Sequence, residues 1–290
     1  MKSEIVGKVI EVWRYPVKSM RGELLQSVSI ESLGMRGDRG WALRDDESGE
    51  IRGAKKFPAL MKCSSKYPLE PNDSTIPPAE IIFPDGRTIN TDSDEVSGKI
   101  SQFLEARVTL FPRLPATEEE HYRRKEQLSE PVIRQMLGLG KAEPLPDLNI
   151  FPSKVLEEIT KFTSPRGTYV DAYPIHLLTT SWLEELQNHS SRSSFKRERF
   201  RPNLLIETET SGLAELDWCG KTLRIGTTEL NCEIPTIRCS MTAHETGSLP
   251  KDPNVLRTIV QRTDRNVGVY ASVLLEGQVT VGDEVQILEE

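Results

Sequence analysis

The sequence predicts an α+β fold, and three observations carry that prediction. The chain opens on short segments that alternate in the strand manner, a few amphipathic stretches of helical period follow, and the last third returns to short β-branched runs. Those final runs are bounded by Gly, Pro or Asp, the signature of a barrel or a sandwich. At 290 residues the chain has room for two domains and for a core that needs no disulfide or structural metal to hold it.

The elements follow in order. Ile5, Val9 and Val12 stand among polar residues as a first strand, and Leu24 to Ile30 reads as another after a Met20-Arg21-Gly22 turn. The loop Gly34 to Gly40 leads into a strand at Trp41 to Arg44, with Asp45 to Gly49 as the turn of a hairpin. Ser64 to Pro78, rich in Pro, Ser, Asn and Asp, reads as a surface excursion, and Ile81 to Ile89 as a hairpin about Pro84-Asp85-Gly86. A short helix is expected over Val96 to Ala106, where Ile100, Phe103 and Leu104 share a side. Pro112 to Pro152 mixes charge runs with Pro and Gly and marks the boundary between two halves. The second half begins with a helix at Ser153 to Phe162. Tyr169 to Leu178 then leads to a helix near Ser181, whose spacing to Glu184 is that of a capping box. Strands are expected at Asn203–Glu207, Thr222–Ile225, Glu229–Glu233, Gly268–Leu274 and Glu284–Leu288.

Composition removes several function classes. A net charge of -7 argues against a broad nucleic-acid-binding face, and no apolar run is long enough for a membrane helix. Met1 to Gly7 lacks the apolar core of a secretory signal, so a cytoplasmic chain is expected. Cys63, Cys219, Cys232 and Cys239 form no Cys-x-x-Cys pair and have no adjacent histidine, so no zinc or iron–sulfur site is written locally. There is no glycine-rich nucleotide loop.

Three segments could carry chemistry. In Asn231 to Thr242, Pro235 is expected to end a strand because it cannot donate to the ladder, leaving Thr236 to Ser240 as a loop at a barrel rim. Cys239 there follows Arg238, and a cation beside a thiol favours the thiolate, the form that ligates metals. A small buried cysteine is an equal reading of that segment alone. In Lys196 to Asn203, Arg201 at a strand entrance could clamp an anion, whereas Lys196, Arg197 and Arg199 read as a solvated charged loop. In Tyr15-Pro16-Val17-Lys18-Ser19, Lys18 and Ser19 offer a point charge and a hydroxyl to a phosphate.

Taken together, Tyr15 to Ser19, Gly37-Asp38-Arg39-Gly40-Trp41, Asp171-Ala172-Tyr173-Pro174, Phe200-Arg201-Pro202-Asn203, Arg238-Cys239 and Val281-Gly282-Asp283-Glu284-Val285 fall in one order. It resembles that of MOSC (molybdenum cofactor sulfurase C-terminal) proteins with an N-terminal MOSC β-barrel domain. The group it is most similar to is the mitochondrial amidoxime-reducing component family and its bacterial counterparts, from Ile5 to Leu288. The resemblance implies two β-barrel-like domains with peripheral helices: an N-terminal MOSC barrel over 1–120, a connector over 121–150 and a MOSC domain over 151–290. It implies a molybdenum cofactor, Mo-molybdopterin, between the halves, with Cys239 as catalytic residue and metal ligand. Lys18, Ser19, Arg39, Tyr173, Arg201, Asn203 and Arg238 would hold the pterin and its phosphate. Tyr173 stands where relatives often carry serine, so a backbone contact is the one that survives there. The wider superfamily also has an association with pyridoxal phosphate binding. The implied activity is reduction of N-hydroxylated compounds by oxygen-atom transfer. Electrons would come from a separate cytochrome b5-, ferredoxin- or flavin-reductase-like protein, since no cysteine-rich ferredoxin segment is present. A sulfur-carrier or cofactor-delivery role through a Cys239 persulfide is the alternative, and a thiol hydrolase pairing Cys239 with His244 a more distant one. Cys63, Cys219, Cys232, His121, His176 and His189 are left to packing or surface, and Arg36 stands behind Arg39.

Overall fold

The computed structural model describes residues 3–72, 76–141 and 143–289. Seven strands close on themselves into a barrel. Around it they run Leu204–Glu207, Ile175–Thr179, Asn266–Leu275, Thr228–Ile237, Thr222–Ile225, Glu284–Leu288 and Ser3–Arg14, the last pairing back onto Leu204–Glu207. Only Ile175–Thr179 and Leu204–Glu207 run parallel. Val9, Val12, Leu177, Ile206, Leu223, Leu230, Val269 and Val285 fill the interior. Each such side chain, taken from water, contributes roughly 1.5–3 kcal/mol.

The strand that closes the barrel is the first one in the chain, so the barrel is not built from the second half alone. Val9 and Val12 both point inward although three residues apart. A β-bulge between Val9 and Glu11 resets the alternation, while Ile5 remains 58% exposed. There are three small sheets besides the barrel; the first two flank a second core that includes Val17, Met20, Trp41, Leu43, Leu60, Ile81 and Ile100, while Val28, Ile30, Met35 and Val279 of the third join the barrel core. The three sheets are Trp41–Asp45 between Glu50–Arg52 and Val108–Pro112; Glu80–Ile82 between Ser64–Lys66 and Thr88–Asn90; and Ser27–Glu31 between Gly34–Met35 and Gly277–Thr280. The last of these again joins the two ends of the chain. Helix Val96–Leu104 buries Val96 and Ile100 and ends with Glu105 in the left-handed conformation.

Several expectations need correction. The segment expected as a surface excursion begins with the paired strand Ser64–Lys66, and its residues 73–75 lie outside the described residues. The strand expected to stop before Pro235 continues to Ile237. Register shifts on either side of Pro235 put its missing N–H at an irregularity of the ladder, where nothing is lost. The helix Thr180–His189 is capped not by Ser181 but by Thr179, whose hydroxyl accepts from the Trp182 N–H at 3.3 Å, because the preceding strand runs on to Thr179. Connector residues form helices Glu119–Tyr122 and Glu130–Leu137, and Tyr122 is fully buried against Ala42, Ile51, Phe162 and Tyr169. Among the described residues no helix is long and apolar enough to cross a membrane.

Candidate cofactor cleft at the barrel mouth

Strand Ser3–Arg14 leaves the barrel at the same end at which Ile175–Thr179 and Leu204–Glu207 enter it. The segments flanking those strands therefore converge at one mouth. Tyr15 to Lys18 lies alongside Asp38 to Trp41: Arg39 N–H donates to Tyr15 O at 2.7 Å, Trp41 N–H to Pro16 O at 3.0 Å and Lys18 N–H to Trp41 O at 2.8 Å. From the other side Asn203 N–H donates to His176 O at 2.8 Å, and Arg238 Nη2 donates to Phe200 O at 2.7 Å.

A cavity of about 510 Å³ occupies this mouth. Lys18, Ser19, Arg39, Tyr173, Arg201, Asn203, Arg238 and Cys239, the residues singled out in the sequence, all line it. So do Gly53, Lys55, Asp171, His176 and Tyr270, which sequence reasoning did not place in a site. Asp171 opens the Asp171–Pro174 run already noted and His176 follows it by two residues, and that adjacency was the available signal. Lys55 carried none, because it reaches the cleft through the turn that follows Glu50–Arg52, where Lys56 and Phe57 N–H both donate to Gly53 O at 2.9 Å.

The side chains are held firmly. Asn203, 1% exposed, donates from Nδ2 to Asp38 Oδ2 at 3.1 Å and accepts at Oδ1 from His176 N–H at 3.2 Å. Asp38 also pairs with Arg39 and accepts from Tyr15 N–H at 2.8 Å. The Tyr15 ring lies within cation–π range of both the Arg39 and Arg201 guanidiniums, at 5.0 and 4.2 Å from its centre. Ser19, Arg39 and Arg201 adopt left-handed backbone angles, with φ of 71°, 46° and 56°. For residues with a β-carbon that costs on the order of 1 kcal/mol or more each, and such strain gathers at functional sites.

Charge is concentrated here. Nine basic residues (Lys18, Arg39, Arg52, Lys55, Lys56, Arg124, Arg199, Arg201, Arg238) but only two acidic ones (Glu126, Asp171) line the cleft, in a chain whose net charge is -7. Lys18 Nζ donates to Asp171 Oδ1 and to Tyr169 O, both at 2.7 Å. The Lys18 ammonium holds the Asp171 carboxyl well below the usual carboxylate range. Burial pushes Lys18 and Arg238 down, and Arg201 down to about 10. Arg238 Nε, His176 Nε2 and the Tyr173 hydroxyl are buried on these walls without hydrogen-bond partners. Burial keeps His176 well below its ordinary value, hence neutral, and pushes Tyr173 up to about 12.

Matches to known families agree with the order of the segments. The MOSC domain model matches residues 164–286, and the MOSC N-terminal beta barrel domain model matches residues 6–105. The chain belongs to the MOSC-domain proteins. This MOSC protein is similar to mitochondrial amidoxime reducing component 2 of Bos taurus, 25% identical over 316 residues, covering 97% of this chain and 83% of the relative. It is likewise similar to that of Rattus norvegicus, 26% identical over 314 residues with the same coverage. Among solved structures, the YUAD protein from Bacillus subtilis aligns over 99% of this chain and 97% of its own, with 11% identity and a TM-score of 0.46.

Cys63 and Cys232 are fully buried, and burial pushes the Cys63 thiol up to about 12 and the partly buried Cys219 up to about 11. Cys239 alone of the four lines the cleft. His244 does not line it, and His121 is buried beside the Tyr169 hydroxyl at 2.7 Å. Of the loop expected to be solvated, Lys196 is exposed, but Arg197 and Arg199 are not. Arg197 stacks 3.5 Å from the Trp13 ring centre and pairs with Glu11 at 2.9 Å. Arg199, 1% exposed, donates to the carbonyls of Ser194, Thr242, His244 and Pro250. A planar guanidinium with five donors can tie four carbonyls together where a charge run suggested water. Arg36 is half-buried and pairs with Glu31.

Proposed function

We propose that the cleft binds a pyranopterin molybdenum cofactor and that the chain is an oxidoreductase reducing N-hydroxylated compounds, amidoximes or hydroxylamines, to the parent amines and water. The observation that supports this most is the surplus of cations at the mouth of an acidic protein, beside the one thiol that reaches the cleft. A phosphate of roughly -1.5 to -2 charge needs several cations and neutral donors to offset its desolvation. Lys18, Arg39, Arg201 and Arg238 with Ser19 and Asn203 are such a set, and the partnerless Arg238 Nε and His176 Nε2 are donor or acceptor sites still to be met. The residues present fit the group.

When bound, the group supplies two-electron oxygen-atom transfer. The chain supplies Cys239 as thiolate ligand, the basic wall that orients the phosphate, and a rim of protonated hydroxyls on Tyr173 and Tyr270, whose deprotonation burial disfavours. We assign the electrons to a separate donor protein of the cytochrome b5, ferredoxin or flavin-reductase kind. The same reading divides the chain into an N-terminal domain over 1–120, a connector over 121–150 and a MOSC domain over 151–290, with strand Ser3–Arg14 lent to the second barrel.

Metal analysis of protein from a molybdate-supplied host, with benzamidoxime reduction by an artificial donor, tests the proposal. Near-stoichiometric molybdenum, and activity lost in Cys239→Ala, are expected. Sulfane sulfur on Cys239 in protein without metal would instead favour a sulfur carrier, a reading that the same half-exposed thiol supports.

A further inference from the structure

The cations of the cleft exceed what one phosphate requires and, apart from Arg199, which is tied to four carbonyls, they fall into two groups. Lys18, Arg39, Arg201 and Arg238 come from the segments at the barrel mouth. Arg52, Lys55, Lys56 and Arg124 come from the hairpin Trp41–Arg52, the turn after it and the start of the connector. Within this second group Lys56 is neutralised by Asp45 at 2.7 Å and Arg52 by Glu50 and Glu126 at 3.0 and 3.1 Å. Lys55 and Arg124 are not: neither has a carboxylate within 4 Å among the described residues. Arg124 spends Nη2 on the carbonyls of Ile159 and Phe162 at 3.2 and 3.1 Å, and its Nε is buried without a partner, as is that of Arg52. Ionisable groups in electrostatic range of the Lys55 ammonium include Cys239 and Asp171, which favour it, and Arg124, which opposes it. Lys55 thus has both the thiol and Arg124 within its electrostatic range. Asp171 offsets part of the repulsion at Lys55, and Glu50 and Glu126 part of that at Arg124; an anion joining the two cations would offset more of it.

Apolar side chains also line the cleft, beside Gln135. Val132 and Met136 of helix Glu130–Leu137 line it together with Ile51. Gly138 ends that helix in the left-handed conformation, and Arg265 Nη1 anchors it by donating to Leu137 O at 3.1 Å.

We propose that Lys55 and Arg124 form an anion subsite that selects substrates carrying a carboxylate or phosphate at the far end of a small apolar body, the body lying along Val132 and Met136 with its N-hydroxyl group toward Cys239. The inference rests on the reductase reading for the identity of the reacting group, but the subsite itself does not.

The test compares benzamidoxime with its 4-carboxy and 4-phosphono derivatives on the molybdenum-loaded protein. In turnover with reduced viologen, the anionic compounds should exceed the neutral one in kcat/KM by about tenfold, or about 1.4 kcal/mol. The preference should shrink as salt is raised. Lys55→Gln should lower the anionic-to-neutral ratio five- to tenfold and Lys55→Arg should restore it. The carboxylate and phosphonate arms distinguish which anion the subsite takes. Calorimetric binding of the same compounds without a donor reads the subsite apart from turnover. Tighter binding of the anionic compounds, lost in Lys55→Gln, upholds the subsite even if no compound is reduced, in which case only the reductase reading fails. Equal binding of all three, or a ratio that Lys55→Gln leaves unmoved, overturns the subsite.

Discussion

Gly53 is expected to be irreplaceable for a reason that lies wholly in Ser19. A β-carbon on residue 53 would stand 2.4 Å from Ser19 Oγ but 3.5 Å from Ser19 Cβ, the latter an ordinary contact. Gly53 has no left-handed angle, so its backbone would accept alanine. The clash is relieved by rotating the Ser19 hydroxyl, and that breaks its bond to the Ala54 N–H at 2.9 Å in a fully buried position. A buried N–H left without a partner costs about 1–3 kcal/mol, against a gain of about 0.4–1 kcal/mol from removing a glycine from the unfolded chain. Gly53→Ala should therefore destabilise by about 1–2 kcal/mol in urea denaturation. Ser19→Ala removes the same bond and the clash together, so the double variant should be no less stable than Ser19→Ala alone. The cycle would then show a coupling of about 1–2 kcal/mol. Additive costs, within about 0.5 kcal/mol, would refute the reasoning, because they would mean that the β-carbon meets something other than this hydroxyl.

Glu215 is fully buried, and burial pushes its carboxyl up to about 7 despite the N–H and hydroxyl that Thr179 donates to it. A folded value above the unfolded one means that its contribution to stability is fully present below about pH 4.5 and is lost as pH rises to about 7, by up to roughly 3 kcal/mol at 1.36 kcal/mol per tenfold. Denaturation at pH 5 and pH 8 should show that loss in the parent protein and not in Glu215→Gln; equal pH dependence of the two would contradict it. Arg199→Leu leaves four carbonyls without their donor and should cost about 3 kcal/mol or more, with little rescue by lysine, whose ammonium lacks the planar fork; melting temperatures within a degree of the parent's would sink this.

What could be read in the sequence was local. The runs Tyr15 to Ser19, Gly37 to Trp41 and Phe200 to Asn203 each carry their chemistry within five residues, and hydrogen bonds between the backbones of the first two bring them together. The hairpin about Gly86 and the helix at Val96–Leu104 follow from turn chemistry and period alone. Features that depend on distant partners were not legible. Lys55 enters the cleft only because Gly53 lets its turn pack against Ser19. Pro235 sits inside a strand only because bulges against Asn266–Leu275 leave its missing donor unneeded. Arg199 is a buried tie among four carbonyls, although its sequence neighbours Lys196, Arg197 and Glu198 suggest a surface loop. Closure of the barrel by Ser3–Arg14 pairs residues about 200 positions apart, where period-2 patterning fixes a face but not a partner.

Left-handed angles at Ser19, Arg39 and Arg201 and a surplus of cations both raise the free energy of the folded chain, and a structure selected for stability alone would carry neither in one place. The cost is met by rigid neighbours: Asp38 fixes Tyr15, Arg39 and Asn203, and Tyr15 lies between two guanidiniums. These contacts fix side chains whose repulsion would otherwise spread them into solvent, so their geometry is set before any anion arrives. Ordering entropy is thus spent on folding rather than on binding, and an anion entering the cleft meets aligned donors instead of having to gather them.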